Sequence, residues 1–223
     1  MAPLIELENL SKLYRSNELE TAALNGVNLC VEKGEFLAVM GPSGCGKSTL
    51  LHMLGMLDRP SDGLYNFNGI QASPATNRTR DRLVLEGIGF VFQQFNLIDD
   101  LSVFDNVQLP VFYKKWPTKQ RKERVNEVLD QVGIGHRASH KPQQLSGGQQ
   151  QRAAIARALV SDPLLFLADE PTGNLDSKNG SQIMDILSKL NAQGKTIVMV
   201  THSERDAAYA HRIVQMKDGS FIL

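Results

Sequence analysis

Phe36-Leu-Ala-Val-Met40 runs directly into Gly41-Pro-Ser-Gly-Cys-Gly-Lys47-Ser48, and Thr49-Leu-Leu-His-Met-Leu54 follows. The apolar run predicts a buried strand, and Leu50, Leu51 and Leu54 recur at helical spacing. Between them lies the complete P-loop pattern, placed after a strand and before a helix as its mechanism requires. Glycines at 41, 44 and 46 let the backbone curl so that successive N–H groups converge on an anion. The helix that follows adds its positive end. Gly41, Pro42, Ser43, Gly44, Cys45, Gly46, Lys47, Ser48 and Thr49 are therefore candidate nucleotide-binding residues. Lys47 is expected to reach the β and γ phosphates, and the Ser48 hydroxyl to face Mg2+.

Working outward, further strand signals recur at Leu164–Ala168 and Thr196–Val200, with helical patterns between them. That alternation predicts an α/β fold with a mostly parallel sheet. Leu4–Glu8 alternates apolar and acidic residues, and Gly63–Asn68 resembles a short strand between turn signals, so an antiparallel β flank is expected. Between about Phe95 and Leu159 strand signals almost vanish, while Val125, Val128, Leu129 and Val132 fall at helical spacing. The expectation is a single domain over residues 1–223, with an α/β core at about 1–94 and 160–223 and an inserted helical lobe at about 95–159. Gln71–Thr79, rich in Ser, Thr, Pro and Asn, reads as a loop.

The 223 residues carry 24 basic and 24 acidic side chains, with 42% hydrophobic and 22% charged residues. These proportions are globular and exclude a disordered or fibrous chain. A net charge of zero argues against nucleic acid as a partner, because counterion displacement needs a basic surplus. No stretch approaches the roughly 20 apolar residues of a membrane span, and MAPLIELENL lacks a signal peptide's basic and apolar regions. Cys30 and Cys45 are too few for a disulfide framework and lack zinc spacing. A cytoplasmic chain is expected. His136, His140 and His211 read as surface residues, and the basic run Lys114–Lys122 as a solvated face.

Downstream, Leu164-Leu-Phe-Leu-Ala-Asp169 ends a buried strand in a carboxylate, so Asp169 takes the metal role with Ser48. Glu170 follows at the mouth of the sheet, where it can orient or deprotonate an attacking water. Leu145-Ser-Gly-Gly-Gln149 supplies a second glycine-rich helix start about a hundred residues beyond the first, which small P-loop kinases and GTPases do not need. With these motifs in order, nearly the whole chain resembles the nucleotide-binding subunit of an ATP-binding cassette (ABC) transporter.

That resemblance implies the remaining roles. Tyr14 matches the aromatic that stacks on adenine. Gln93, with Gln94 as its rival, matches the glutamine that touches magnesium and senses the membrane partner, and His202 matches the histidine that contacts the γ phosphate. Asp176 matches the aspartate of a loop that crosses the dimer interface. Ser146, Gly147, Gly148 and Gln149 are then expected to close over ATP held by a second copy, so that ATP and Mg2+ sit between two head-to-tail chains. The implied further partner is an integral membrane permease with an extracytoplasmic domain, which holds the chain on the cytoplasmic face of the inner membrane.

Leu57-Asp-Arg-Pro60, Phe90-Val-Phe-Gln-Gln-Phe-Asn-Leu97 and Ala168-Asp-Glu-Pro-Thr-Gly-Asn-Leu-Asp176 resemble the branch of MacB-like macrolide exporters, LolD-like lipoprotein-release ATPases and FtsE-like cell-division ATPases. Members of this branch transmit force across a membrane. Many polar-solute importers, the alternative, carry Ser-Ala in place of Gly173-Asn174. A DNA-organising ATPase head is excluded because the interval from Lys47 to Asp169 leaves no room for a coiled-coil arm.

Overall fold

The structure is a computed structural model that describes residues 2–16, 19–73, 75–114 and 116–222. In chain order it contains β1 (Ile5–Ser16), β2 (Leu19–Val31), β3 (Phe36–Met40), α1 (Lys47–Leu54), β4 (Asp62–Phe67), β5 (Ile70–Ser73), α2 (Asn77–Gly87) and β6 (Ile88–Val91). There follow α3 (Val103–Tyr113), α4 (Thr118–Gln131), α5 (Gly147–Leu159), β7 (Leu165–Asp169), α6 (Ser177–Ala192), β8 (Thr196–Thr201), α7 (Glu204–Ala207), β9 (Arg212–Lys217) and β10 (Ser220–Ile222).

Two sheets form. One is antiparallel, in the order β2-β1-β4-β5. The other runs β10-β9-β3-β8-β7-β6 and is parallel except where β10 pairs with β9. The side-chain period of two in a strand divides the core. Phe36 and Ala38 of β3, Phe166 and Ala168 of β7, and Ile197 and Met199 of β8 face the helices; Leu37, Val39, Leu165, Leu167, Val198 and Val200 face α1 and the antiparallel sheet. Burying each Phe, Leu, Ile, Val or Met among them contributes roughly 1.5–3 kcal/mol. The described residues of 95–159 contain α3, α4 and α5 and no strand. Val107 of α3, Val128 of α4 and Ile155 of α5 belong to the same buried cluster as Phe166 and Ile197, so the helices extend the core of the sheet. Among the described residues, no helix is long and apolar enough to cross a membrane.

Three sequence expectations need correction, and strand β2 was not anticipated. Gln71–Thr79 is not one loop: β5 pairs Gln71 with Asn66, and α2 starts at Asn77 with the Thr76 hydroxyl accepting the Thr79 N–H at 3.3 Å. Ser, Thr and Asn cap helices as readily as they fill loops, and Pro74 lies outside the described residues. The strand β2 went unrecognised because Asn25-Gly26 reads as a turn; Gly26 has φ +59 where the β1–β2 register shifts. His140 is half-buried and its Nε2 lies 2.9 Å from Arg137. Lys114 is not free in solvent, since its ammonium donates to the Ser161 carbonyl at 2.8 Å; Lys115 lies outside the described residues.

Gly55 ends α1 against the ring of Phe90, which itself stacks on Phe92 at 5.1 Å. A Cβ at Gly55 would stand 1.9 Å from Cζ of Phe90. Gly55→Ala is expected to destabilise the protein by about 1–3 kcal/mol through overpacking. The urea midpoint should fall with an unchanged slope, and Phe90→Leu should restore part of the loss.

Candidate functional site

Parallel strands bring their carboxyl ends to one edge, where ligand crevices form. β3 leads into the glycine loop there, β6 into Gln93, β7 into Asp169 and Glu170, and β8 into His202. Together with Thr21, Ala22 and Ala23 of β2, these residues line a cleft of about 750 Å³. Its walls include Gly41, Pro42, Ser43, Gly44, Gly46, Lys47, Ser48 and Thr49. Cys45 is different, because its side chain is buried in the core beneath. Gln93 lines the cleft and Gln94 does not.

The loop admits little substitution. At Gly46 φ is +106, and a Cβ would stand 2.4 Å from the Ala23 carbonyl oxygen; at Gly41 it would stand 2.2 Å from that of Met216. α1 begins on Gly46 without a side-chain cap, so its leading N–H groups are left for a ligand. The Lys47 ammonium donates to the carbonyls of Gly41 at 2.8 Å and Pro42 at 2.9 Å, folded along the loop.

Ser48 Oγ donates to Asp169 Oδ1 at 3.4 Å. Burial pushes the Asp169 carboxyl above its usual range, against the hydrogen bond from Ser48. A hydroxyl beside a carboxylate is an all-oxygen donor pair of the kind Mg2+ takes with phosphates. Glu170 has φ +43, a strained conformation for a non-glycine residue, and its N–H donates to Val200 O at 3.0 Å. Its Oε2 lies 2.5 Å from Nδ1 of His202, whose side chain is exposed.

Two expected groups stand outside the cleft. Ser146, Gly147, Gly148 and Gln149 open α5, where Ser146 Oγ accepts the Gln149 N–H at 3.4 Å and Gln149 Oε1 accepts that of Ser146 at 3.1 Å. Gly148 abuts Asn179, whose side-chain amide donates to Asp176 at 2.6 Å. Asp176 caps α6, and hydrogen bonds from Asn179 hold its carboxyl below the ordinary range. Tyr14 is on β1 opposite Thr21, beside the cleft wall.

The sequence did not reveal Gln151. Fully buried on α5, it donates from Nε2 to Phe92 O at 3.3 Å and Pro171 O at 2.6 Å, joining the segments that carry Gln93 and Glu170. A third glutamine in Gln149-Gln-Gln151 offers no local signal of that role. Gly173 also proves structural: a Cβ there would stand 2.7 Å from Nε2 of Gln93, while Asn174 Nδ2 donates to Gln93 O at 2.9 Å.

Strand, glycine loop and helix with a following acidic strand end define a P-loop nucleotide-binding protein. A family profile described as ABC transporter matches residues 24–173. The uncharacterized ABC transporter ATP-binding protein MJ1508 of Methanocaldococcus jannaschii is 47% identical over 219 residues, 98% of each chain. The macrolide export ATP-binding/permease protein MacB of Chlorobaculum tepidum is 49% identical over 97% of this chain, which spans 33% of that protein. A solved dimer of the ATP-binding cassette MJ0796, in a post-hydrolysis state with ADP and Pi, has a TM-score of 0.91 and 44% identity, covering 98% of this chain and 97% of that one. The chain belongs to the ABC transporter family, as an ATP-binding ATPase subunit of MacB-like type.

The raised carboxyl of Asp169 sets a sign for stability. Above its raised folded value the group is ionised in both states and burial penalises the folded one; below the unfolded carboxyl range it is protonated in both and the penalty disappears. Asp169→Asn, melted in chelator without nucleotide, should therefore raise the Tm at pH 7. The gain should shrink to nothing as pH falls through the folded value and then the ordinary Asp range.

Proposed function

We propose that Glu170 is the general base of ATP hydrolysis, that two copies of the chain close around two ATP molecules, and that the closure drives a separate membrane permease. The observation that carries this reading is Glu170 at the lip of the cleft, beside Asp169 and held by His202 at 2.5 Å. Lys47 and the leading N–H groups of α1 hold the β and γ phosphates. Ser48 and Asp169, with Gln93 at the rim, hold Mg2+, which when bound offsets phosphate charge. Glu170 takes the proton of the attacking water, His202 orients Glu170 and meets the γ phosphate, and Tyr14 stacks on the adenine.

The α5 start, with Ser146, Gly147, Gly148 and Gln149, stands apart from the cleft of its own chain, which supports its closing over the ATP of a partner copy with Asp176 at the seam. The MJ0796 cassette is a dimer with ADP and Pi, and MacB joins ATP-binding and permease parts by name. The first supports the homodimer and the second a permease partner, which we take to be of MacB or LolD type with an extracytoplasmic domain, holding the chain at the cytoplasmic face of the membrane. Export, lipoprotein release or force transmission is the work done. The helical segment 95–159 and Gln93 form the side that meets the permease.

Glu170→Gln should lower turnover by about two or more orders of magnitude while ATP still binds, so gel filtration with Mg-ATP shows a dimer. Adding Ser146→Arg should return that variant to monomer without loss of ATP binding. Undiminished turnover in the first variant overturns the base, and a persisting dimer in the second overturns the closure.

Gln93→Ala tests the coupling. It should lose more of its stimulation by the reconstituted permease than of its nucleotide affinity; equal stimulation refutes the role.

A further inference from the structure

The turn Leu57-Asp-Arg-Pro60 after α1 lies outside the phosphate cleft, yet its carboxylate reaches β1. Asp58 Oδ2 accepts the Tyr14 hydroxyl at 3.0 Å. Asp58 Oδ1 accepts from Lys12 Nζ at 2.8 Å and from the Arg59 N–H at 2.6 Å. Lys12, only 12% exposed in its side chain, also donates to Arg59 O at 2.8 Å. Lys12 and Tyr14 are two apart on one strand and share a face, and the ammonium lies 4.9 Å from the centre of the Tyr14 ring. Burial works against ionisation of Asp58, but the bonds from Lys12, Arg59 and Tyr14 prevail and hold its carboxyl below the usual range.

The consequence is mechanical. Tyr14 is 44% exposed and sits on a strand at the cleft margin, where a free ring would rotate. Its hydroxyl is pinned by Asp58, and one of its faces is covered by the Lys12 ammonium, so a single face remains for a flat partner. Ordering a side chain before its ligand arrives removes an entropic cost from binding.

We propose that Asp58 is a positioning residue for the base of the nucleotide: by holding the Tyr14 hydroxyl and the Lys12 ammonium together, it sets the Tyr14 ring against the cleft with one face presented. The proposal rests on the stacking role of Tyr14 given above. It assigns the Asp58, Lys12 and Tyr14 cluster to the base, leaving the phosphates to the glycine loop.

The test compares ATP with inorganic tripolyphosphate, which has phosphates and no base, as competitors of a fluorescent ATP analogue on the full chain. Asp58→Ala is expected to weaken ATP about tenfold, the size of one lost base–aromatic stack. Tripolyphosphate affinity and kcat at saturating ATP should stay unchanged. Asp58→Asn, which keeps an acceptor oxygen and guards against a folding defect in the Ala variant, should fall between wild type and Ala. In a Tyr14→Ala background Asp58→Ala should add no further loss. If Tyr14→Ala leaves ATP affinity intact, the stacking role fails and the proposal with it. If Tyr14→Ala weakens ATP but Asp58→Ala does not, or weakens tripolyphosphate equally, or adds its full effect to Tyr14→Ala, stacking stands and the positioning role is overturned.

Discussion

The glycine loop is held between two backbones, and the rest of the site depends on that contact. Gly46 presses on the Ala23 carbonyl of β2 and Gly41 on the Met216 carbonyl of β9. Gly219 N–H then donates to Cys45 O at 3.0 Å, and Asn25 N–H to Gly219 O at 2.9 Å. The loop is thus the joint at which the antiparallel sheet meets the parallel one. A side chain at either glycine would part the two sheets, so backbone proximity, rather than flexibility alone, requires those residues.

Once the loop is held, the parallel sheet supplies the other groups. β6, β7 and β8 run alongside β3, so their carboxyl ends open on the same edge. The segments beyond those ends are irregular and need their own restraints. Gln151 holds two of their carbonyls, Arg157 donates to Phe95 O at 2.9 Å beyond Gln93, and Thr172 bonds to the buried Asp206 near Glu170 and His202. A buried hydrogen bond gains roughly 0.5–1.5 kcal/mol and costs more if one partner is lost. Two of these restraints, from Gln151 and Arg157, tie that edge to α5, whose own start does not line the cleft.

That geometry gives the proposed dimer a physical logic. Ser146 and Gln151 belong to one helix start, and Gln151 bonds the backbone beside Gln93 and Glu170, so the proposed dimer contact and the cleft share α5. The shared buried cluster of α3, α4, α5 and the sheet makes the segment 95–159 a continuation of the core.

Much of this was legible along the chain. Phe36–Met40 and Leu164–Ala168 are apolar enough to be read as buried strands, and the glycine loop is readable because neighbours in sequence make one anion site. Glu170 follows from its place after such a strand. What could not be read were pairings between distant segments. β2 was hidden by a bulge at Gly26 that resembles a turn, and Gln151 looks like its two neighbours until burial selects it. Asp58 belonged to a stretch read only for its family resemblance, and its bonds to Lys12 and Tyr14 of β1 emerge only in the fold. Local sequence determined the strand, the loop and the acids, because their signals are periodic or contiguous. Only tertiary structure decided which carbonyl each glycine meets and which side chain each carboxylate holds, because those contacts join residues that the chain itself keeps far apart.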